Sequence, residues 1–324
     1  MSPDPELPPA GPLLRTLAAH GVIEARGSDF HDLLHRLSAS DTRALARDTP
    51  VTALLVTDKG RVLDLALACV HDDAVLVLTS PERTARVLAW FETYTIMEDV
   101  VYRDASADWR QYEWRRGTGD LFASFNDVAD PALPATIDIP YRNATGAGLR
   151  MLVAGADAAA FEAGLGSRIA AVGGCAISEQ DFDLLRIRAS LPAVGRELTE
   201  RVNPIEAGAG SDVSFTKGCY IGQEVIARLD TYNKVQRHLR PLLLRGSLPD
   251  DPIAVARAIP SGTALTSEGR DGGFLTSCAY DPDTRTLIGL GCIRLAFERP
   301  GTILQLEAHA LDMVVQSPPG EPSS

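Results

Sequence analysis

At 324 residues, with 45% hydrophobic and 23% charged residues, the chain has the composition of an ordinary globular protein and the length of two domains. Its 31 basic residues against 43 acidic ones leave a formal charge of −12, which argues against sequence-independent tracking of a phosphate backbone and leaves room only for a local basic pocket for a small anion. No apolar run reaches the roughly 18 residues of a spanning helix, and five scattered cysteines without C-x-x-C spacing speak against a disulfide framework or a zinc site.

Residues 1–12 hold five prolines and predict a disordered lead, matched by a tail over 317–324. The first residues lack the basic and apolar regions of a secretion signal, so reduced thiols in a cytoplasm are expected. Phe30, Leu33, Leu34 and Leu37 fall at helical spacing and predict a helix over 29–37, with Ser28 as its cap. Apolar runs over 51–56, 62–70 and 74–78, joined by Asp58-Lys59-Gly60-Arg61 and His71-Asp72-Asp73, predict an antiparallel meander. Pro81 is expected in the first turn of a helix reaching Phe91, and Val100 to Tyr102 in a strand. Helices interleaved with hairpins argue for an α+β fold. Trp109 to Arg116 is mixed in character. Strands are expected over 121–125 and 149–153, and helices over 157–163 and 181–189. From Leu239 to Val315, short apolar runs are broken by Ser261-Gly262, Asp271-Gly272-Gly273, Asp281-Pro282-Asp283 and Arg299-Pro300-Gly301. That rhythm predicts a small β-barrel or sandwich, with the domain boundary near Val235 to Arg240.

One segment is unlike its surroundings. In Lys217-Gly218-Cys219-Tyr220-Ile221-Gly222-Gln223-Glu224 two glycines bracket a Cys-Tyr pair, and Gly222 opens a predicted helix over 223–229. Only three of the 31 basic residues are lysines, and Lys217 is one of them. A cation two residues away and a helix start just ahead both favour a thiolate at Cys219. The plain alternatives are a packed thiol at Cys219, a core Tyr220, a helix-capping Gln223, a solvated Lys217 and a Glu224–Arg228 surface pair.

Lys-Gly-Cys-Tyr-x-Gly-Gln-Glu resembles the signature of the YgfZ family. These are folate-binding proteins of the glycine-cleavage T-protein superfamily that assist assembly or repair of iron–sulfur clusters. Arg186-Ile187-Arg188-Ala189-Ser190-Leu191-Pro192 is similar to the superfamily's Arg-hydrophobic-x-Ala-Gly-x-Pro stretch, with Ser190 in place of glycine. Asn203-Pro204-Ile205-Glu206 resembles its Pro-x-Glu element, and Gly27-Ser28-Asp29-Phe30 its N-terminal element. The resemblance covers roughly residues 20 to 310.

The resemblance implies a three-lobed α+β fold. Two lobes would span 13–235, a C-terminal β-barrel 236–316, and a tetrahydrofolate or derivative would lie in a central hollow. It makes Cys219 and Lys217 the reactive pair, with Gly218, Tyr220, Gly222, Gln223 and Glu224 shaping the site and Arg186 and Glu206 binding folate. Aminomethyl-transferring relatives hold the pterin through a glutamate, where this chain has Ala147, and Phe182 stands in place of an arginine. Their catalytic aspartate has no counterpart near Thr79-Ser80-Pro81, so weak folate binding and no aminomethyl transfer are expected.

The leading expectation is a tetrahydrofolate-associated factor for iron–sulfur proteins that meets client proteins or assembly factors and holds no stable metal, nucleic acid or membrane. The alternatives are a divergent folate-dependent one-carbon transferase and a pure interaction protein docking through the Cys219 loop.

Overall fold

The computed structural model describes residues 11–116, 133–231 and 235–319. They form two compact units: residues 11–179 with 212–223, and residues 180–211 with 224–319.

In the first unit the order is β1 (Pro12–Thr16), β2 (Gly21–Arg26), α1 (Phe30–Leu37), β3 (Val51–Val56), β4 (Val62–His71), β5 (Ala74–Thr79), α2 (Thr84–Tyr94), β6 (Val101–Asp104), β7 (Trp109–Arg116), β8 (Thr136–Asn143), β9 (Gly146–Ala154), α3 (Ala158–Ala171) and β10 (Cys175–Ala176). One five-stranded sheet runs β3-β4-β5-β2-β6, and the expected meander of β3, β4 and β5 is its core. The other runs β10-β1-β7-β9-β8, antiparallel except for the β1–β10 pair.

The apolar stripe of α1 explains how the first sheet is covered. Phe30, Leu33, Leu34 and Leu37 are all buried, and with Val87, Trp90 and Phe91 of α2 they pack on one sheet face. The opposite face lays Leu67, Leu76 and Leu78 against Ile139, Tyr141 and Leu152 of the second sheet. Phe161, Leu165 and Ile169 of α3 close the far side of that second sheet.

A charged knot sits on the same side of the second sheet as Tyr141. The Glu113 carboxylate, 1% exposed, meets Arg15 at 2.9 Å, Arg115 at 3.1 Å and Arg150 at 3.4 Å, and accepts from the Tyr141 hydroxyl. Burial pushes the Glu113 carboxyl up, but the three guanidiniums outweigh it and hold the group well below the carboxylate range.

The second unit contains nearly all of α4 (Glu179–Arg188) and α5 (Gln223–Thr231). It continues with β11 (Arg237–Arg245), α6 (Pro252–Ala258), β12 (Thr263–Ser267), β13 (Arg270–Asp281), β14 (Thr286–Arg294), β15 (Ile303–Leu306) and β16 (Leu311–Val315). The six strands close into a barrel in the order β11-β14-β13-β12-β15-β16, and β16 pairs back onto β11. Leu242, Leu265, Leu275, Leu304 and Val315 fill it, and Ala256 of α6 packs onto the same core.

Several sequence expectations are corrected. Ser28 does not cap α1: Asp29 occupies the cap position without a side-chain bond, and the Ser28 hydroxyl donates to the Asp29 carboxylate. Pro81 lies in a turn, because Glu82 takes φ +61°, which no right-handed helix includes, and α2 begins only at Thr84. The mixed Trp109–Arg116 segment is a full strand, and α3 runs well past Ala163. The strand expected over 121–125 lies outside the described residues. No helix among the described residues is long and apolar enough to cross a membrane.

Candidate functional site

The segment after Asp212 returns to the first unit and lies against the end of α1. Ser214 N–H donates to the Ala39 carbonyl at 2.9 Å, and Ile221 N–H donates to the Arg36 carbonyl at 3.0 Å. Between these two anchors Lys217 turns inward. Its residue surface is only 6% exposed, and Nζ donates to the carbonyls of His35 at 2.5 Å, Ser38 at 2.8 Å and Ser40 at 2.8 Å. An ammonium has three protons and three carbonyls take them. The ammonium is thereby spent on the backbone, and none of its hydrogen bonds goes to Cys219. Burial draws the ammonium down to about 8, and it lies 5.3 Å from the centre of the Tyr220 ring.

The carbonyls that receive Lys217 are themselves held in place. Ser40 Oγ donates to the Asp212 carbonyl at 2.8 Å and accepts from Leu54 N–H at 3.0 Å. Ser38 Oγ accepts from Ser40 N–H at 3.0 Å. Asp212 in turn accepts from Ala144 N–H at 2.8 Å, and burial raises its carboxyl to about 6.

Gly222 closes the turn. It takes φ +74°, and a β-carbon there would sit 2.4 Å from the Thr57 carbonyl oxygen, so only glycine lets the segment approach the β3–β4 turn. Gly218 differs, since a β-carbon there would meet nothing within 4 Å. Between the two glycines Cys219 is exposed, whereas Tyr220 is buried and its hydroxyl is pushed up to about 12. Gln223 Oε1 accepts from Tyr220 N–H at 3.4 Å, a local brace at the start of α5. Glu224 is exposed, and no ion pair joins it to Arg228 among the described residues. The result is an exposed thiol on an otherwise immobilised turn. Cys69 and Cys292 are buried, and burial pushes both thiols up to about 12.

Arg186 and Glu206 belong to the second unit. Arg186 is 2% exposed and reaches Glu197 at 3.1 Å, Asp183 at 2.6 Å and Ser277 at 2.7 Å. Glu206 is 4% exposed and accepts from Gln236 N–H at 3.3 Å. Ser190, where the resembled stretch has glycine, takes φ +56°.

One carboxylate escaped the sequence reading, which found no acid near Thr79-Ser80-Pro81. Asp64 of the neighbouring strand β4 supplies one: its carboxylate is fully buried and accepts from Ser80 N–H at 3.1 Å and Leu65 N–H at 2.8 Å. Burial pushes the carboxyl up. A lone acid inside Val62-Leu63-Asp64-Leu65-Ala66-Leu67 was the available signal, because a buried carboxylate in an apolar strand is costly without a purpose. Among the described residues no three His, Cys, Asp or Glu side chains converge as metal ligands.

No protein-family model matches the chain. In sequence it is 26% identical over 299 residues to a chloroplastic protein of Arabidopsis thaliana that carries a provisional transferase name, covering 88% of this chain and 66% of that one. An aminomethyltransferase of Desulforamulus reducens is 30% identical over 129 residues, covering 38% of this chain and 31% of the enzyme. The chain thus spans less than two thirds of the length of these relatives. An aminomethyltransferase of Anoxybacillus flavithermus is 26% identical over 319 residues, covering 89% of this chain and 81% of the enzyme. Among solved structures, the glycine cleavage system aminomethyltransferase T of Bartonella henselae superimposes with a TM-score of 0.71 at 15% identity, covering 96% of this chain and 86% of that one. The chain is therefore similar in sequence to aminomethyltransferases, and its fold is the one seen in glycine cleavage aminomethyltransferase T.

Proposed function

We propose that the chain is a YgfZ-type, reduced-folate-binding protein of the cytoplasm that serves assembly or repair of iron–sulfur proteins through Cys219. The observation that carries this reading is the exposure of Cys219 on a turn fixed on both sides by Lys217 and Gly222. An accessible thiol held in one place can attack, ligate transiently or be oxidised, and a client protein can reach it. In this reading the cluster is cargo and not a resident group.

Similarity to aminomethyltransferases, together with the folate-superfamily motifs of the sequence, supports a folate ligand. Ala147, at the place of the relatives' pterin-holding glutamate, supports an affinity no tighter than about micromolar. The test is loss of the gene. Activities of cluster-containing enzymes should fall while cluster-free enzymes keep theirs, and a uniform decline or no decline would reject the reading.

A second reading, a folate-dependent one-carbon transferase, is favoured by Asp64 alone, since the missing acid was the chief argument against it. Formation of methylenetetrahydrofolate and ammonia from an aminomethyl donor, lost in Asp64→Asn, would decide for it.

A further inference from the structure

We infer that the second unit binds a small organic carboxylate in a cavity of about 250 Å³ bounded by α4, α6 and β13. The cavity belongs to the second unit and the Cys219 turn to the first, and the inference does not rest on the function proposed above.

The charge of the lining points to an anion. In a chain of net charge −12, this cavity is lined by three guanidiniums, Arg186, Arg196 and Arg257, against a single carboxylate, Asp183. Arg186 is already committed: its charge is met by Glu197 at 3.1 Å and Asp183 at 2.6 Å. The other two are not. Arg257 donates to the Gln180 side-chain oxygen at 2.7 Å, a neutral partner that leaves its charge uncompensated. Arg196 is exposed and its side chain makes no hydrogen bond or ion pair among the described residues. Two guanidiniums with free donors around one cavity are suited to a carboxylate, which each can grip through two parallel N–H bonds.

The remaining wall selects the body of the ligand. Ile187, Ile259 and Leu275 present apolar surface and are themselves buried. An inorganic anion would pair with the guanidiniums but leave that apolar surface uncovered, whereas an alkyl chain covers it. A carboxylate on a short alkyl chain places its charge on Arg196 and Arg257 and its methylenes on the three apolar side chains. The volume is at the small end of ligand pockets, which sets the size at a short-chain acid.

Cys278 lines the same cavity and supplies a reporter. It is partly exposed, and burial pushes its thiol up to about 12, so it alkylates slowly and a ligand in the cavity shields it further. Cys219, in the other unit, is the internal control.

The experiment uses the full chain with hexanoate as probe and inorganic phosphate at equal ionic strength as comparison. Melting temperature and iodoacetamide labelling, resolved by peptide mass spectrometry, are the readouts. Millimolar hexanoate should raise the melting temperature by about 2 °C and slow Cys278 labelling about threefold, with Cys219 unchanged. Both effects should vanish when Arg196→Met and Arg257→Met are combined. Should that variant not fold, Arg196→Gln, at an exposed position, carries the same expectation of weakened protection. No effect of hexanoate, equal protection in the variants, or phosphate acting as well as hexanoate would overturn the assignment.

Discussion

Gly222 lies so close to Thr57 that a β-carbon on it would stand 2.4 Å from the Thr57 carbonyl oxygen. This contact fixes the exit of the Cys219 turn, and it separates the two glycines of the segment into different roles. Gly222→Ala must accept both φ +74° and the clash, so it should lose at least about 1–2 kcal/mol of stability. Gly218→Ala enters open space and should stay within about 0.5 kcal/mol. Urea denaturation of the two variants checks the contrast, and equal losses would mean that the turn is not held at Thr57.

Lys217→Met should destabilise the first unit by about 3 kcal/mol, because three buried carbonyls lose a charged donor together. Lys217→Arg should recover little, since a planar guanidinium does not replace a point charge surrounded by three acceptors. Thermal and urea unfolding measure both. A neutral Lys217→Met would show the ammonium to be dispensable for the turn.

Asp212 gives the chain a pH dependence of defined sign. Its carboxyl ionises near 3.8 when unfolded and near 6 when folded, because burial disfavours the charge. The folded state therefore holds the extra proton, and the group's contribution to stability is complete below about pH 4 and lost as pH rises through 6. Asp212→Asn keeps an oxygen for Ala144 N–H and removes the charge. It should stabilise the protein by about 1–3 kcal/mol at pH 7.5 and change little at pH 4. Urea midpoints at the two pH values test this; a variant less stable at pH 7.5 would contradict the burial argument.

Thiol reactivity should divide by exposure. Cys219 should alkylate first at pH 7.5, with Cys69 and Cys292 slow until urea opens the fold, since both are buried and their thiols are raised to about 12. Labelling rates for each peptide supply the comparison.

What could be read in advance follows the kind of burial involved. The stripe of α1 was legible because Phe30, Leu33, Leu34 and Leu37 bury against apolar partners, so the hydrophobic period survives in the sequence. The β7 strand was not, because Gln111, Glu113 and Arg115 occupy its inward face through an ion network that writes no apolar alternation. The extent of α3 was obscured by Gly164 and Gly166 inside it, which lower helix propensity where tertiary packing of Phe161, Leu165 and Ile169 decides the outcome. At the site, the two glycines around Cys219 stood out in the segment itself, but not which of them the turn requires, and an exposed Cys219 stood beside the alternative of a packed thiol. The anchoring of Lys217 on His35, Ser38 and Ser40 was not, since those carbonyls lie about 180 residues earlier in the chain. Asp64 was missed for a related reason: it reaches Ser80 from the adjacent strand, a contact created by β4–β5 pairing and not by sequence order.

The central claim is that the exposed Cys219 thiol does the work, and rescue of a deletion strain tests it most directly. Cys219→Ser changes one atom on an exposed turn and should leave folding intact. The measurement is the activity of cluster-containing enzymes in the deletion strain carrying the wild-type chain, Cys219→Ser or Gly218→Ala at matched expression. The account predicts full rescue by the wild type and Gly218→Ala and none by Cys219→Ser. Full rescue by Cys219→Ser would contradict it and leave the turn as a docking surface.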